Sequence, residues 1–132
     1  MAIQQFLGDL ILKDIDGDQW QLMQPFGYVT IAGDIINVPI GFITDLASIP
    51  WGFRWILPKS GDYNRSCVIH DWLYANHLFS RYKCDNILLE AMQFEGVSYI
   101  TRYTIYMAVR AGGWVPWANE KRWVSSALRW TR

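Results

Sequence analysis

Apolar residues alternate with polar ones in the first third of the chain and recur at three- and four-residue spacing over much of the remainder. Residues 6–12 are mostly apolar up to the acidic run Asp14-Ile15-Asp16-Gly17-Asp18, after which residues 20–23 resume the alternation. Two such arms around an acidic, glycine-bearing turn predict a hairpin, with Gly17 placed to take a positive φ. Residues 28–32 and 35–40 flank Gly33-Asp34 with β-branched residues on both arms and predict a second hairpin. Pro39 marks its end or an edge, since proline cannot donate to a ladder. Residues 1–45 are therefore expected to form a small antiparallel β-meander of about four strands.

From residue 61 the period changes to that of helices. A first helix is expected from Tyr63 or Asn64 to about His77, a second from Arg81 to about Phe94, and a third from Tyr99 to about Ala111. Gly96 stops the second, Ser98 caps the third, and Gly112-Gly113 ends it. Cys67, His70, Tyr74 and His77 recur at helical spacing and share one face of the first helix. Asp85 lies on the side of the second helix that carries Leu88, Leu89 and Met92, so it is expected to face inward, where a carboxylate needs a partner. Tyr99, Tyr103 and Tyr106 are expected to pack against the first two helices. The whole is read as one α+β domain over residues 1–132: a β-rich part to 45, a helical part over 61–112 with the candidate site, and a Trp-rich tail over 113–132.

Composition narrows the function. Twelve Lys+Arg balance twelve Asp+Glu, which removes the basic footprint of a protein held on nucleic acid. Eight tryptophans in 132 residues are more than a small core easily hides. They read either as core and rim or as a contact surface for another subunit, a membrane or a sugar polymer. Trp117, Trp123 and Trp130 are the tail's candidates for partner binding, with a homo-oligomer among the expected assemblies. Two cysteines make no disulfide framework, and neither a secretory signal nor a membrane-length apolar run is visible, which implies synthesis in the cytoplasm.

Three chemistries fit the polar residues. In the first, His70 takes a proton from water, Asp85 holds its imidazole in the right tautomer, Tyr74 supports the pair and Asp71 helps bind a cation. In the second, Cys67, His70, His77 and Cys84 bind zinc, but seven residues of straight helix span about 10.5 Å, too far for both histidines to reach one ion. A histidine-aspartate phosphohydrolase needs another histidine upstream, and none precedes His70. The bland alternative is a His70–Asp85 hydrogen bond that sets helix registry, with Arg81 pairing Asp85 at i,i+4. Thr44 and Asp45 read as the cap of a short turn or as polar groups aimed into the site. The acidic run at 14–18 lacks the order and closing glutamate of a calcium loop.

The segments VPIGFITDLASIPW, YNRSCVIHDWLYANH and CDNILLEAMQFEGV occur in an order that resembles an uncharacterised domain family of tailed phages and prophages, over roughly residues 36–113. The resemblance implies a phage origin, synthesis in the host cytoplasm, incorporation in the virion, and phage structural proteins as partners. Locally, the two central helices resemble those of phospholipase A2, in which an HDxxY helix supplies a general-base histidine and a calcium-binding aspartate, and a second helix the dyad aspartate. Those roles would fall on His70, Asp71 and Asp85, with Tyr74 in support. Here Leu73 stands at the usual cysteine of HDxCY, and the preceding loop 58–63 holds one glycine. The implied activity is hydrolysis of an ester or amide of the host envelope, in lipid or peptidoglycan, with a divalent cation such as calcium. The alternative is a non-enzymatic virion or tail-assembly component.

Overall fold

The computed structural model describes residues 5–15, 19–44, 63–113 and 117–118. Asp45, Trp123, Trp130 and residues 16–18 of the expected first turn lie outside these described residues. Six short strands precede three helices among the described residues: β1 (Phe6–Leu7), β2 (Leu12–Asp14), β3 (Trp20–Leu22), β4 (Phe26–Val29), β5 (Ile35–Val38), β6 (Ile43–Thr44), α1 (Asn64–Asn76), α2 (Arg81–Glu95) and α3 (Tyr99–Gly112). This is the expected α+β class, and the three helices start and stop within a residue or two of the positions their periodicity predicts.

The strands are not one meander of about four. They form two three-stranded antiparallel sheets, ordered β1-β4-β5 and β2-β3-β6. The apolar run at 6–12 is split by Gly8, whose φ of +83° is cheap only for glycine, so its two halves enter different sheets. The second anticipated hairpin is present as β4-β5; of the first, the second arm pairs as expected, but with β2 (Leu12–Asp14), which shares only Leu12 with the anticipated first arm. β5 shows the alternation in its burial, with Ile36 and Val38 inside and Ile35 and Asn37 outside.

α1 is the central element. It packs against α2 on one side and against β5 and β6 on another. Its residues from Ser66 through Asp71 are buried without a break, as are Leu73, Tyr74 and Ala75. Val68, Ile69 and Leu73 are wholly inside a core shared with Phe6, Leu22, Phe26, Tyr28 and Ile36 of the strands. Each such aliphatic side chain contributes about 1.5–3 kcal/mol by leaving water. That gain is what lets the same helix carry a histidine and an aspartate into the interior. A second cluster, Leu88, Met92, Val97, Ile105, Ala108 and Val109, joins α2 to α3.

Polar side chains of α2 pin it to its neighbours. The Glu90 carboxylate accepts from the Tyr28 hydroxyl and, at 3.3 Å, from the Ile31 amide, while Lys83 pairs with Asp34 at 3.1 Å. Glu95 accepts from the backbone amides of Arg65 and Ser66 at 3.1 and 3.0 Å and from the Ser66 hydroxyl at 2.6 Å. It thus satisfies the first turn of α1, which has no cap from its own Tyr63 side chain. Ser98 caps α3 by accepting from the Thr101 amide, as its position predicts. Of the α3 tyrosines expected to pack inward, Tyr99 and Tyr103 point outward, at 64% and 38% exposure. Only Tyr106 turns toward α2, donating to Asn86 at 3.2 Å. The side of α3 that meets α2 carries Ile105, Ala108 and Val109 instead.

Candidate functional site

His70 and Tyr74 are four residues apart on α1, so both rings stand on one face, with centroids 4.2 Å apart. Across from them α2 presents Asp85. The His70 Nε2 lies 2.7 Å from Asp85 Oδ1, and the Tyr74 hydroxyl donates to the same oxygen at 2.5 Å. The anticipated pair is therefore formed, and His70 and Asp85 are both fully buried. Asp85 Oδ2 faces the other way. It accepts from Arg110 Nη1 of α3 at 2.7 Å and has Arg81 Nη1 at 3.5 Å.

This arrangement sets the charge states. Burial raises the cost of an ionised Asp85, but the hydrogen bonds from His70, Tyr74 and Arg110 outweigh it and hold the carboxyl below its usual range. Burial pulls His70 below its ordinary value, against the hydrogen bond and charge of Asp85 and with help from Arg81. The imidazole is thus neutral at pH 7. Because an ionised Asp85 has no proton to give, Nε2 carries the hydrogen and donates it, leaving Nδ1 with a lone pair. That Nδ1 is buried, and no group among the described residues hydrogen-bonds to it. Buried polar atoms are nearly always satisfied, and a neutral imidazole with Nε2 protonated has its basic lone pair at this atom.

Around this centre the fit is close. A Cβ at Gly113 would stand 2.7 Å from the Tyr74 hydroxyl and closer still to the Val109 carbonyl, so the second glycine of Gly112-Gly113 leaves room for the dyad's support. Trp117 packs edge-on to Tyr74 at 5.2 Å and stacks flat on His77 at 3.6 Å. His77 closes α1 in the left-handed conformation, φ 53°, and its Nε2 contacts the Trp117 carbonyl at 2.8 Å. Trp117 is accordingly half-buried against α1, with one ring face spent on His77.

Asp71 follows His70 on α1 and points to the sheet, where the Thr44 hydroxyl of β6 donates to its Oδ2. Thr44 and Asp71 are both buried. Calcium takes six to eight oxygens. Among the described residues no three His, Cys, Asp or Glu side chains gather to hold a metal ion, so Asp71 and Thr44 do not by themselves make such a cage. The zinc set is likewise not assembled. Cys67 and Cys84 form no disulfide, and burial followed by the charge of Asp85 pushes the Cys84 thiol up to about 12, which removes it as a nucleophile.

Arg110 is the member of the site that the sequence did not single out. Its only signal is a cation in the last turn of a helix that has no acidic residue, which reads as a complement to the helix dipole. Residues 20–109 match the family described as "Protein of unknown function (DUF1353)", a span that includes Thr44, His70, Asp71, Tyr74 and Asp85 and ends one residue before Arg110. No curated protein and no solved structure matches the chain.

Proposed function

The chain belongs to this DUF1353 family, and from that premise we propose that it is a hydrolase in which His70 acts as general base on water and Asp85 orients and stabilises the imidazole. The observation that carries the reading is the bare, buried Nδ1 of a histidine whose Nε2 is fixed to a carboxylate. In the proposed reaction Nδ1 takes a proton from water as the oxygen attacks a carbonyl carbon. The tetrahedral intermediate then expels an alcohol or amine, which takes the proton back from Nδ1. Asp85 stays ionised throughout, and Tyr74 holds its Oδ1. His70 is 0% exposed, so the centre must open to admit water and substrate.

The substrate class we assign is an ester or amide of a bacterial host envelope, for a phage-encoded protein. The support is the resemblance of the HDWLY helix and its partner helix to phospholipase A2, and of the TDLASIP, HDxLY and later Asp motifs to phage-encoded domains. The test is release of fatty acid from phospholipid vesicles, or of amide-cleavage products from peptidoglycan, in buffer with and without calcium. Wild type is expected to cleave one of them, and His70→Gln to fold yet lose at least about a hundredfold in rate. Wild type inactive on both substrates, or a folded His70→Gln of equal activity, would refute the reading.

Full burial of His70 and Asp85 favours a second reading, a non-enzymatic virion or tail-assembly component with the dyad as a helix clamp. On it the protein is found stoichiometrically in particles, and His70→Gln lowers thermal stability with no activity to lose.

A further inference from the structure

The two oxygens of Asp85 are divided between two sets of donors. Oδ1 serves the interior, where it meets His70 and Tyr74, and Oδ2 serves α3, where it meets Arg110 at 2.7 Å. Arg81 stands 3.5 Å from the same Oδ2, but its guanidinium also donates to the carbonyls of Val109 at 3.0 Å and Arg110 at 3.4 Å. Arg81 therefore closes the end of α3 as well. Arg110 has no such duty: its guanidinium lies over the Tyr82 ring, at 5.2 Å, with its hydrogen bond directed to Asp85.

We propose that Arg110 is the positioning residue of this centre: by engaging Oδ2 it fixes the plane of the Asp85 carboxylate, so that Oδ1 holds the imidazole with Nε2–H inward and the Nδ1 lone pair free. The inference rests on the hydrolytic reading of the dyad and adds to it a third helix. A carboxylate held on one oxygen only turns about its Cβ–Cγ bond, which is a soft torsion. Anchoring both oxygens removes that freedom and leaves the imidazole one orientation. The charge acts in the same direction. A buried carboxylate lacking a cation draws a proton onto the nearest base, and an imidazolium has no lone pair left to accept one from water. Among the described residues the charged and titratable groups of this cluster are Asp71 and Tyr74 on α1, Arg81, Cys84 and Asp85 on α2, and Tyr106 and Arg110 on α3, with the neutral Thr44 hydroxyl of β6 on Asp71. Arg81 and Arg110 are the cations of this set, and Arg110 is the one whose removal leaves the α3 carbonyls capped.

Nitrogen-15 NMR of His70 at a fixed pH of about 7.5 reads the ring directly. Wild type is expected to show one protonated nitrogen, Nε2, and a bare Nδ1. Arg110→Gln and Arg110→Met, two neutral replacements that keep the helix, are expected to show averaged tautomers or protonation at both nitrogens, and Arg110→Lys to restore the wild-type signature. A wild-type spectrum with Nδ1 protonated, or folded neutral variants with the wild-type signature, would overturn the inference, and the wild-type spectrum decides even if both neutral variants fail to fold. On a substrate that wild type cleaves, kcat in Arg110→Gln is expected to fall by up to about a hundredfold, with KM changed less than about twofold. The spectrum needs no substrate: hydrolysis absent from wild type with the predicted spectra refutes the function and not the positioning, and the reverse pattern refutes the positioning alone.

Discussion

At the scale of single residues the informative atom is a buried ring nitrogen, Nδ1 of His70. Among the described residues nothing hydrogen-bonds to His70 Nδ1, while the opposite side of the same ring is held by a carboxylate with further donors on both oxygens. A histidine used only as a clamp gains nothing from an unsatisfied nitrogen, whose burial costs about 1–3 kcal/mol. A histidine used as a base needs that lone pair. Tyr74 tests how much the support matters. Tyr74→Phe removes the hydroxyl's charge-assisted hydrogen bond to Asp85 Oδ1 and its interaction with Arg81 while keeping the ring, so the midpoint of chemical denaturation should register a loss of roughly 1–2 kcal/mol. On the proposed hydrolytic reading, the rate should fall less than in His70→Gln, because Asp85 keeps its bond to Arg110. A Tyr74→Phe protein as inactive as His70→Gln would show that the hydroxyl itself takes part in the chemistry.

At the scale of elements the helices are fastened by acidic side chains of α2 that bond outside their own helix. Glu90 lies on the polar side of α2 with Asn86 and Gln93 and reaches the β4-β5 hairpin, whereas Glu95, four and seven residues after the buried Ala91 and Leu88, shares their face and caps the first turn of α1. A carboxylate at a helix N-terminus satisfies orphan amides and meets the positive end of the dipole. Glu95→Ala should therefore cost roughly 1–2 kcal/mol, and hydrogen exchange should accelerate at the amides of Arg65 and Ser66 before it does at those of the α1 centre. Unchanged exchange at those amides would mean that the cap adds nothing to the helix. The periodicity located each helix to within a residue or two, because capping by Ser80 and Ser98 and termination by Gly96 are local events. The strands were harder to place. Whether residues 6–12 form one strand or two depends on the backbone turn at Gly8 and on which partner each half meets, and the first half meets β4, across the whole β2-β3 pair.

At the scale of the whole molecule, buried titrating groups bound the pH range over which the fold is most stable. His70 has a lower pKa folded than unfolded, so the unfolded chain takes up a proton that the folded one refuses, and stability falls as pH drops below about 6.5. Asp85 is also depressed in the fold, and its contribution is lost further down, below about 3.9. Tyr28 and Tyr74 are raised, each first by burial and then by a carboxylate neighbour, so their contribution is present at neutral pH and lost above about 10. Thermal denaturation across pH should show a plateau between about 7 and 9. His70→Gln should flatten the step that begins near 6.5, and a step of equal size in that variant would place its origin in other groups.

The sequence by itself determined what depends on near neighbours along the chain: the α+β order of elements, the helix limits, the shared face of His70 and Tyr74, and an Asp85 turned inward on the next helix. Each follows from a period of 3.6 or 2 residues and from turn chemistry. Only the tertiary structure decided which groups complete the site. Arg110 reaches Asp85 across 25 residues and Thr44 reaches Asp71 across 27. The division of the strands into two sheets and the outward turn of Tyr99 and Tyr103 belong to the same class. The physical reason is common to all of them. A long-range hydrogen bond has no periodicity to announce it, and a side chain's solvent-facing position on its own helix says nothing about the element that will cover it.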